Sequence, residues 1–232
     1  MLVLVVLSWQ VWLTWEVMAL RELRQQTIPP PAASRCSYLQ NPLPISAERL
    51  NAFKIDPAFL LWPECTLMLW VLVPPKAQGL RDSPSNRYIL AHHTGEAERK
   101  DTFRNQFAFR HSSARGRWEV ETSNGKADYP SRPLFVRDGL EPGWHHFLIA
   151  WDRGARKQLL LIDGGTGGND LSSGSFNCWP QNVADNVVVG SWVSSWAGHY
   201  CETTVGPLMI FDKYLSETSV ELRNHLATRP RA

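Results

Sequence analysis

Two glutamates one residue apart, Glu119 and Glu121 in the run Trp118-Glu119-Val120-Glu121, are the nearest approach in this sequence to a pair of working carboxylates. Alternate residues of a strand share a face, so both side chains would point the same way. Glycoside hydrolysis needs two carboxylates across a cleft, one of them held protonated as an acid. Without a third acid or an aromatic cleft beside them, Glu119 and Glu121 read as solvent-facing polar positions. Other chemistries find less. The histidines are His92, His93, His111, His145, His146, His199 and His225, and none falls in an HExxH spacing. His92 and His93 would point to opposite strand faces, so they cannot chelate together. Hydrogen-bonded structural histidines are the plainer reading. No serine sits in a GxSxG elbow. Gly164–Gly168 is glycine-rich but follows a hairpin strand and opens no helix, so it makes no phosphate loop. The expectation is a protein that is not an enzyme.

The cysteines are Cys36, Cys65, Cys178 and Cys201. No CxxC pair is present, which argues against a zinc cluster or a thioredoxin-type motif. An even count behind a membrane segment suits two disulfides in an oxidising compartment. Local pairing, Cys36–Cys65 and Cys178–Cys201, is the expected arrangement, with four reduced, buried thiols as the alternative. Near the second pair, Ser191–Tyr200 carries Trp192, Trp196, His199 and Tyr200. Such rings either stack on sugars and protein partners or cap a sheet end, and the sequence leaves both open.

The elements that must position these residues begin with residues 1–26. Met1–Leu20 contains a single charge, Glu16, and no Gly or Pro. About 20 apolar residues cross a bilayer as a helix. A cleaved signal peptide would carry a basic residue before the apolar run and a small-residue site just after it. No basic residue precedes Arg21, so an uncleaved single-pass anchor is expected. At about 100° per residue, Ser8, Trp9, Trp12, Trp15 and Glu16 gather on one face. That face reads equally as an interfacial aromatic belt and as a seam against partner membrane helices. Arg21 and Arg24 favour a cytoplasmic C-terminal side, while the cysteines favour an extracytoplasmic one. Pro29-Pro30-Pro31 opens a stiff spacer, taken as residues 27–46.

From about Ala47 to the C-terminus at residue 232 the chain alternates short β-like runs with turns. Thr66–Val73, closed by Pro74-Pro75, has the length and flanks of a buried strand. Further strands are expected at Arg87–Ala91, Gln106–His111, Arg117–Thr122, Trp144–Asp152, Gln158–Ile162, Asn186–Gly190 and Val205–Phe211. Ser216–Ala227 alone looks helical. The run Gly143-Trp144-His145-His146-Phe147-Leu148-Ile149-Ala150-Trp151-Asp152, followed by Leu159–Asp163 and Gly164, resembles the central hairpin of laminin-G-like, concanavalin A-like jelly rolls. Val187–Gly190 and Gly206–Ser216 resemble that family's late strands. The resemblance covers most of the chain and implies an all-β fold of two antiparallel sheets. It also implies a calcium site as an option, with Asp82, Asp170 and Asp185 in loops as weak ligand candidates. The acidic pair often found in the family's last strand is replaced here by Gly206-Pro207, so the resemblance does not supply the several converging acids calcium requires.

Composition bounds the function. The chain of 232 residues has 24 Lys+Arg, 22 Asp+Glu and a net charge of +2, which lacks the basic excess of a nucleic-acid binder. Hydrophobic residues at 44% support a packed core. The 11 tryptophans divide between the anchor (Trp9, Trp12, Trp15), core candidates (Trp62, Trp70, Trp118, Trp144, Trp151) and the late loops (Trp179, Trp192, Trp196). The first expectation is a non-catalytic accessory subunit. Its anchor would sit in the lipid bilayer and dock, with the sandwich, on other subunits of a photosynthetic, respiratory or envelope complex, the globular domain being periplasmic or at the cell surface. The alternative is a surface-anchored glycan-binding lectin-like module. A glycoside hydrolase comes third.

Overall fold

Apolar runs closed by turns dictate the central strands, and the two-residue period of a strand divides each run between the two faces of its sheet. The computed structural model describes residues 27–28, 35–45, 52–74, 87–94, 104–112, 116–122, 134–137, 140–165, 171–175, 187–191, 201 and 203–230. The strands in chain order are β1 (Thr27–Ile28), β2 (Arg35–Leu39), β3 (Leu43–Ile45), β4 (Phe53–Ile55), β5 (Glu64–Val73), β6 (Arg87–Thr94) and β7 (Arg104–Ser112). They continue as β8 (Arg117–Thr122), β9 (Leu134–Arg137), β10 (Gly143–Asp152), β11 (Lys157–Ile162), β12 (Leu171–Ser175), β13 (Val187–Val189) and β14 (Thr203–Phe211). One helix, α1, spans Val220–Leu226.

The first sheet runs β1-β4-β13-β6-β7-β8-β9, and the second β12-β11-β10-β5-β14-β2 with β3 also on β14. Every neighbouring pair is antiparallel except the short β1–β4 contact. The expected all-β architecture of two antiparallel sheets is present. β5 and β10 pair along their full length, Gly143 opposite Val73 through Asp152 opposite Glu64, at the centre of the second sheet. Leu67, Leu69, Val71, Phe147, Ile149 and Trp151 face inward from these two strands. Phe107 and Phe109 of β7 and Trp118 and Val120 of β8 meet them from the first sheet. Ring centroids of Trp118 and Phe147 lie 4.9 Å apart, and those of Phe109 and Phe147 5.0 Å. Such tilted aromatic pairs add to the area they bury and fix the sheets against each other.

The opposite face of β5 and β10 is covered too. Met68, Leu148, Ala150, Leu159, Leu161 and Phe211 form a second cluster under Leu215 and Leu222. That is why both faces of β10 read as apolar. Trp118 and Trp151 are core residues between the sheets, whereas Trp70 and Trp144 are buried on this outer side. Trp62 packs partly buried at the core's edge. α1 starts four residues later and ends one residue earlier than the 216–227 expectation. The Ser219 hydroxyl, not that of Ser216, accepts the capping hydrogen bond, from Leu222 N at 3.2 Å.

Two expectations are corrected. Residues 27–46 are more than a spacer, because β1, β2 and β3 join the sheets from within that range. Short strands next to prolines carry too few alternating positions to stand out in sequence. The Cys36–Cys65 disulfide is also excluded by register. Cys36 lies opposite Ile210 of β14, and Ile210 lies opposite Leu67 of β5, so a whole strand separates the two cysteines. Two interstrand spacings come to roughly 10 Å, beyond the roughly 7 Å that a disulfide spans between Cα atoms. Cys65 and Cys201 are buried in the core, and no disulfide joins described residues. Cys178 lies outside the described residues. So does the expected anchor over residues 1–26, with Ser8, Trp9, Trp12, Trp15 and Glu16. Among the described residues no helix is long and apolar enough to cross a membrane.

Candidate functional site

β7 and β8 place their aromatic and aliphatic residues inward, which leaves Arg110, Arg117, Glu119 and Glu121 on the outer face of the first sheet. Register puts Arg110 opposite Glu119 on one side and Tyr88 of β6 on the other. The side chains meet as the register requires. Arg110 Nε donates to Glu119 Oε1 at 2.8 Å, and Arg110 Nη1 donates to the Tyr88 hydroxyl at 2.7 Å. Arg110 Nη2 lies 2.7 Å from both Glu119 Oε1 and Glu121 Oε2. Arg117 Nε donates to Glu119 Oε2 at 2.8 Å. The Arg110 guanidinium also sits 5.3 Å from the centroid of the Tyr88 ring.

Glu119 is fully buried and Arg110 nearly so, while the Arg117 and Glu121 side chains keep about a fifth of their surface (20% and 23%). The interior of this cluster is therefore a brace and its rim is accessible. Burial works against the Arg110 charge, but Tyr88, Glu121 and Glu119 outweigh it and hold the guanidinium above its ordinary value. Burial by itself would raise Glu119. The charge and hydrogen bond of Arg110, joined by Arg117, reverse that and hold its carboxyl below the ordinary range. A general acid needs the opposite shift. Glu119 and Glu121 thus share a face as alternation requires, but Glu119 is not the solvent-facing acid the sequence suggested. Arg110 and Tyr88 are the residues that sequence reasoning missed. Their signal is a cross-strand pairing, visible only once β7 and β8 are set in register.

A second polar group lies on the outer face of the second sheet, under α1. His145 Nδ1 contacts Asp163 Oδ2 at 2.7 Å, and His145 Nε2 contacts Glu141 O at 2.7 Å. Asp163 Oδ1 accepts from His146 N at 2.8 Å. His146 Nε2 in turn meets His225 Nδ1 at 2.8 Å, beneath the Trp70 ring. Beside them Met209, Phe211, Glu221, Asn224, His225 and Thr228 line a cavity of about 310 Å³. His92, His111, His146 and His225 are all buried, in keeping with structural roles. Both ring nitrogens of His145 are engaged, Nδ1 with Asp163 and Nε2 with Glu141 O.

The remaining sequence candidates fall elsewhere. Asp82, Asp170 and Asp185 lie outside the described residues, and no group of metal-ligating side chains assembles among the described ones. Gly206, where the family's acidic residues often stand, forms a bulge in β14. A Cβ there would lie 2.7 Å from that of Trp70, so close packing accounts for the glycine. Trp192, Trp196, His199 and Tyr200 are also outside the described residues. Their loop's two ends are joined, Cys201 N donating to Gly190 O at 2.9 Å.

No family model and no curated protein matches this chain. Solved structures do match its fold. The Ruminococcus gnavus IT-sialidase CBM40 aligns with a TM-score of 0.53 at 12% identity, covering 83% of this chain and 98% of that one. The same CBM40 bound to alpha2,6 sialyllactose aligns at 0.52 with 12% identity over the same shares. A leech intramolecular trans-sialidase aligns at 0.56 with 11% identity, over 83% of this chain but 27% of that one. The chain therefore spans nearly the whole of the CBM40 and about a quarter of the larger enzyme.

Proposed function

We propose that this chain is a non-catalytic, glycan-binding lectin-like module, and that the rim of the Arg110 cluster on the outer face of the first sheet receives the sugar. The observation that carries this reading is the cluster itself. Buried Arg110 holds Glu119, Glu121 and Tyr88 in one arrangement, with Arg117 and Glu121 at the accessible edge. Sugars are recognised by fixed donors and acceptors that need no reordering, which is what charge-paired side chains on a rigid sheet supply. The fold likeness to a CBM40 supports this reading over docking on a membrane complex, which has only residues 1–26 in its favour. In this reading residues 1–26 tether the module to a membrane, with the sandwich outside the cytoplasm.

The test is an array of glycans in which sialyllactose and neutral lactose are separate arms, with Glu121→Gln and Arg117→Ala beside the unsubstituted chain. Retention of a glycan by the unsubstituted protein, weakened at least tenfold by either substitution, supports the site; about 1.4 kcal/mol corresponds to that factor. Binding lost only on replacing Trp192 and Trp196 would move the site to the 191–200 loop. Absence of any retained glycan, together with stoichiometric membrane subunits after mild-detergent purification, would favour the complex-subunit reading.

A further inference from the structure

We propose that α1 is a proton-operated cover: the buried contact between His146 and His225 holds it on the outer face of the second sheet, and protonation of that contact releases residues 220–228 while the sandwich stays folded. His146 is carried by β10 and His225 by the helix, so their 2.8 Å contact is a direct tie between the two elements. His146 is fully buried and His225 is 2% exposed. The rings stand edge to face, with centroids 5.0 Å apart, and Trp70 lies edge-on to His146 at 5.2 Å. An N–H lies between the facing nitrogens, which requires one of them to be bare. A protonated His146 would carry two N–H groups, and its Nδ1 is buried with no acceptor among the described residues. Charging His146 therefore either adds an unsatisfied Nδ1–H in an apolar place or, in the other tautomer, sets two N–H groups against each other, and letting water in relieves both costs.

The surrounding groups do little to offset that charge. β5 and β14 present Trp70, Met209 and Phe211, none of which titrates near neutrality. From β10 itself comes His145, which is engaged with Asp163. The 163–165 turn contributes Asp163, the one carboxylate that attracts a proton toward His146. On α1, the Glu221 carboxylate is held by Lys213 and Arg223 stands in the last turn; beyond the helix, Arg229 opposes a charge on His145. Burial first, and then His225, hold His146 down to about 3, against the weaker pull of Asp163.

Release would be local because α1 is short and peripheral. A helix of 7 residues has little stability of its own and depends on docking. It docks through Leu222 and Leu226 on the outer cluster, separate from the aromatic core between the sheets. Leu226 packs on the Gly164 turn, where an added Cβ would lie 3.2 Å from its Cδ1. Local openings of this kind lie well below the free energy of global unfolding.

Hydrogen exchange of the full chain at about pH 7.5 and about pH 5.0, corrected for intrinsic rates, tests the cover. With an unfolded histidine near 6.5 and a buried one that resists protonation, the open population of 220–228 should rise roughly thirtyfold at the lower pH. Amides of β10 and β7 should keep their protection. Replacing both His146 and His225 by Phe, which keeps two rings but removes both titrating groups of the contact, should lose the pH response; Gln at both positions serves if the double Phe variant leaves the helix undocked at both pH values. Equal protection of 220–228 at both pH values would overturn the proposal. So would joint loss of protection in the helix and β10, or a pH response that survives both substitutions.

Discussion

The Arg110 guanidinium and the Glu119 carboxylate face each other across adjacent strands, Nε to Oε1 at 2.8 Å, with Glu119 wholly buried. Arg117 supplies a second donor to Glu119, but from a position that is partly exposed. Replacing Arg110 by Met would therefore strip a buried carboxylate of its contacts to Nε and Nη2. A cost of about 3–5 kcal/mol is expected, since stranding one member of a buried ion pair is worse than lacking both. Urea unfolding measures it. Arg110→Met combined with Glu119→Leu should recover much of the loss, and a double variant as unstable as the sum of its parts would refute the coupling.

How much of this was legible in the sequence divides by element length. β5, β8, β10 and β11 could be read nearly to the residue, because each combines an apolar run or alternation with a turn at its end. The four-residue turn after Asp152 shows why: Asp152 Oδ1 accepts from Ala155 N at 2.8 Å, a side-chain bond that Asp supplies in turns generally. β2, β3 and β9 were hidden, since three to five residues give no period to detect. Glu119 was visible as one of two acids sharing a face, but its burial was not. Burial of a charge depends on which residue sits opposite, and Arg110 is nine positions away in sequence. His225 was similarly opaque, being paired with a residue 79 positions earlier.

Asp163 and His145 should stabilise the fold in a bounded pH window. Burial lowers the affinity of His145 for a proton, but Asp163 and Glu141 O outweigh it and hold the ring above its ordinary 6.5. Burial likewise opposes the Asp163 charge, and His145 and the His146 N–H hold that carboxyl below its ordinary 3.8. A raised histidine contributes fully below 6.5 and loses its effect as pH rises through the higher folded value. A lowered carboxyl contributes above 3.8 and loses its effect as pH falls through the lower folded value. The pair is thus fully effective between those limits. Partial exposure limits it to about 1 kcal/mol. A double-mutant cycle with His145→Gln and Asp163→Asn should give its largest coupling near the middle of that range. Coupling that is flat from acid to alkaline pH would contradict the ion pair.

The position of β14 between β2 and β5 makes a prediction about cysteine chemistry. Peptide mapping of unreduced protein should recover no Cys36–Cys65 cross-link, because Ile210 stands between the strands that carry them. A mapped Cys36–Cys65 disulfide would require β2 to leave its place beside β14. The sheet order itself would then be wrong at that edge.

Gly190 joins the first sheet to the loop that sequence singled out for its aromatic residues, and it cannot be replaced without strain. Its φ of +91° lies in the left-handed region, and a Cβ built there would sit 2.7 Å from Ile45 Cγ2. Its N–H donates to Ile89 O at 2.8 Å, and its carbonyl accepts from Cys201 N at 2.9 Å, so the backbone has no room to rotate away. Gly190→Ala should therefore destabilise through two separable effects. The backbone part should come to about 1–3 kcal/mol. The steric part adds to it and depends on Ile45, which is 2% exposed. Ile45→Ala alone should cost about 2–5 kcal/mol through the cavity it leaves. In the double variant the new methyl enters that cavity, so the two costs should sum to clearly more than the measured total. Thermal unfolding of the four proteins in this cycle would check the prediction. Additivity would mean that Ile45 and Gly190 do not touch, and would detach β3 from the stem of the 191–200 loop.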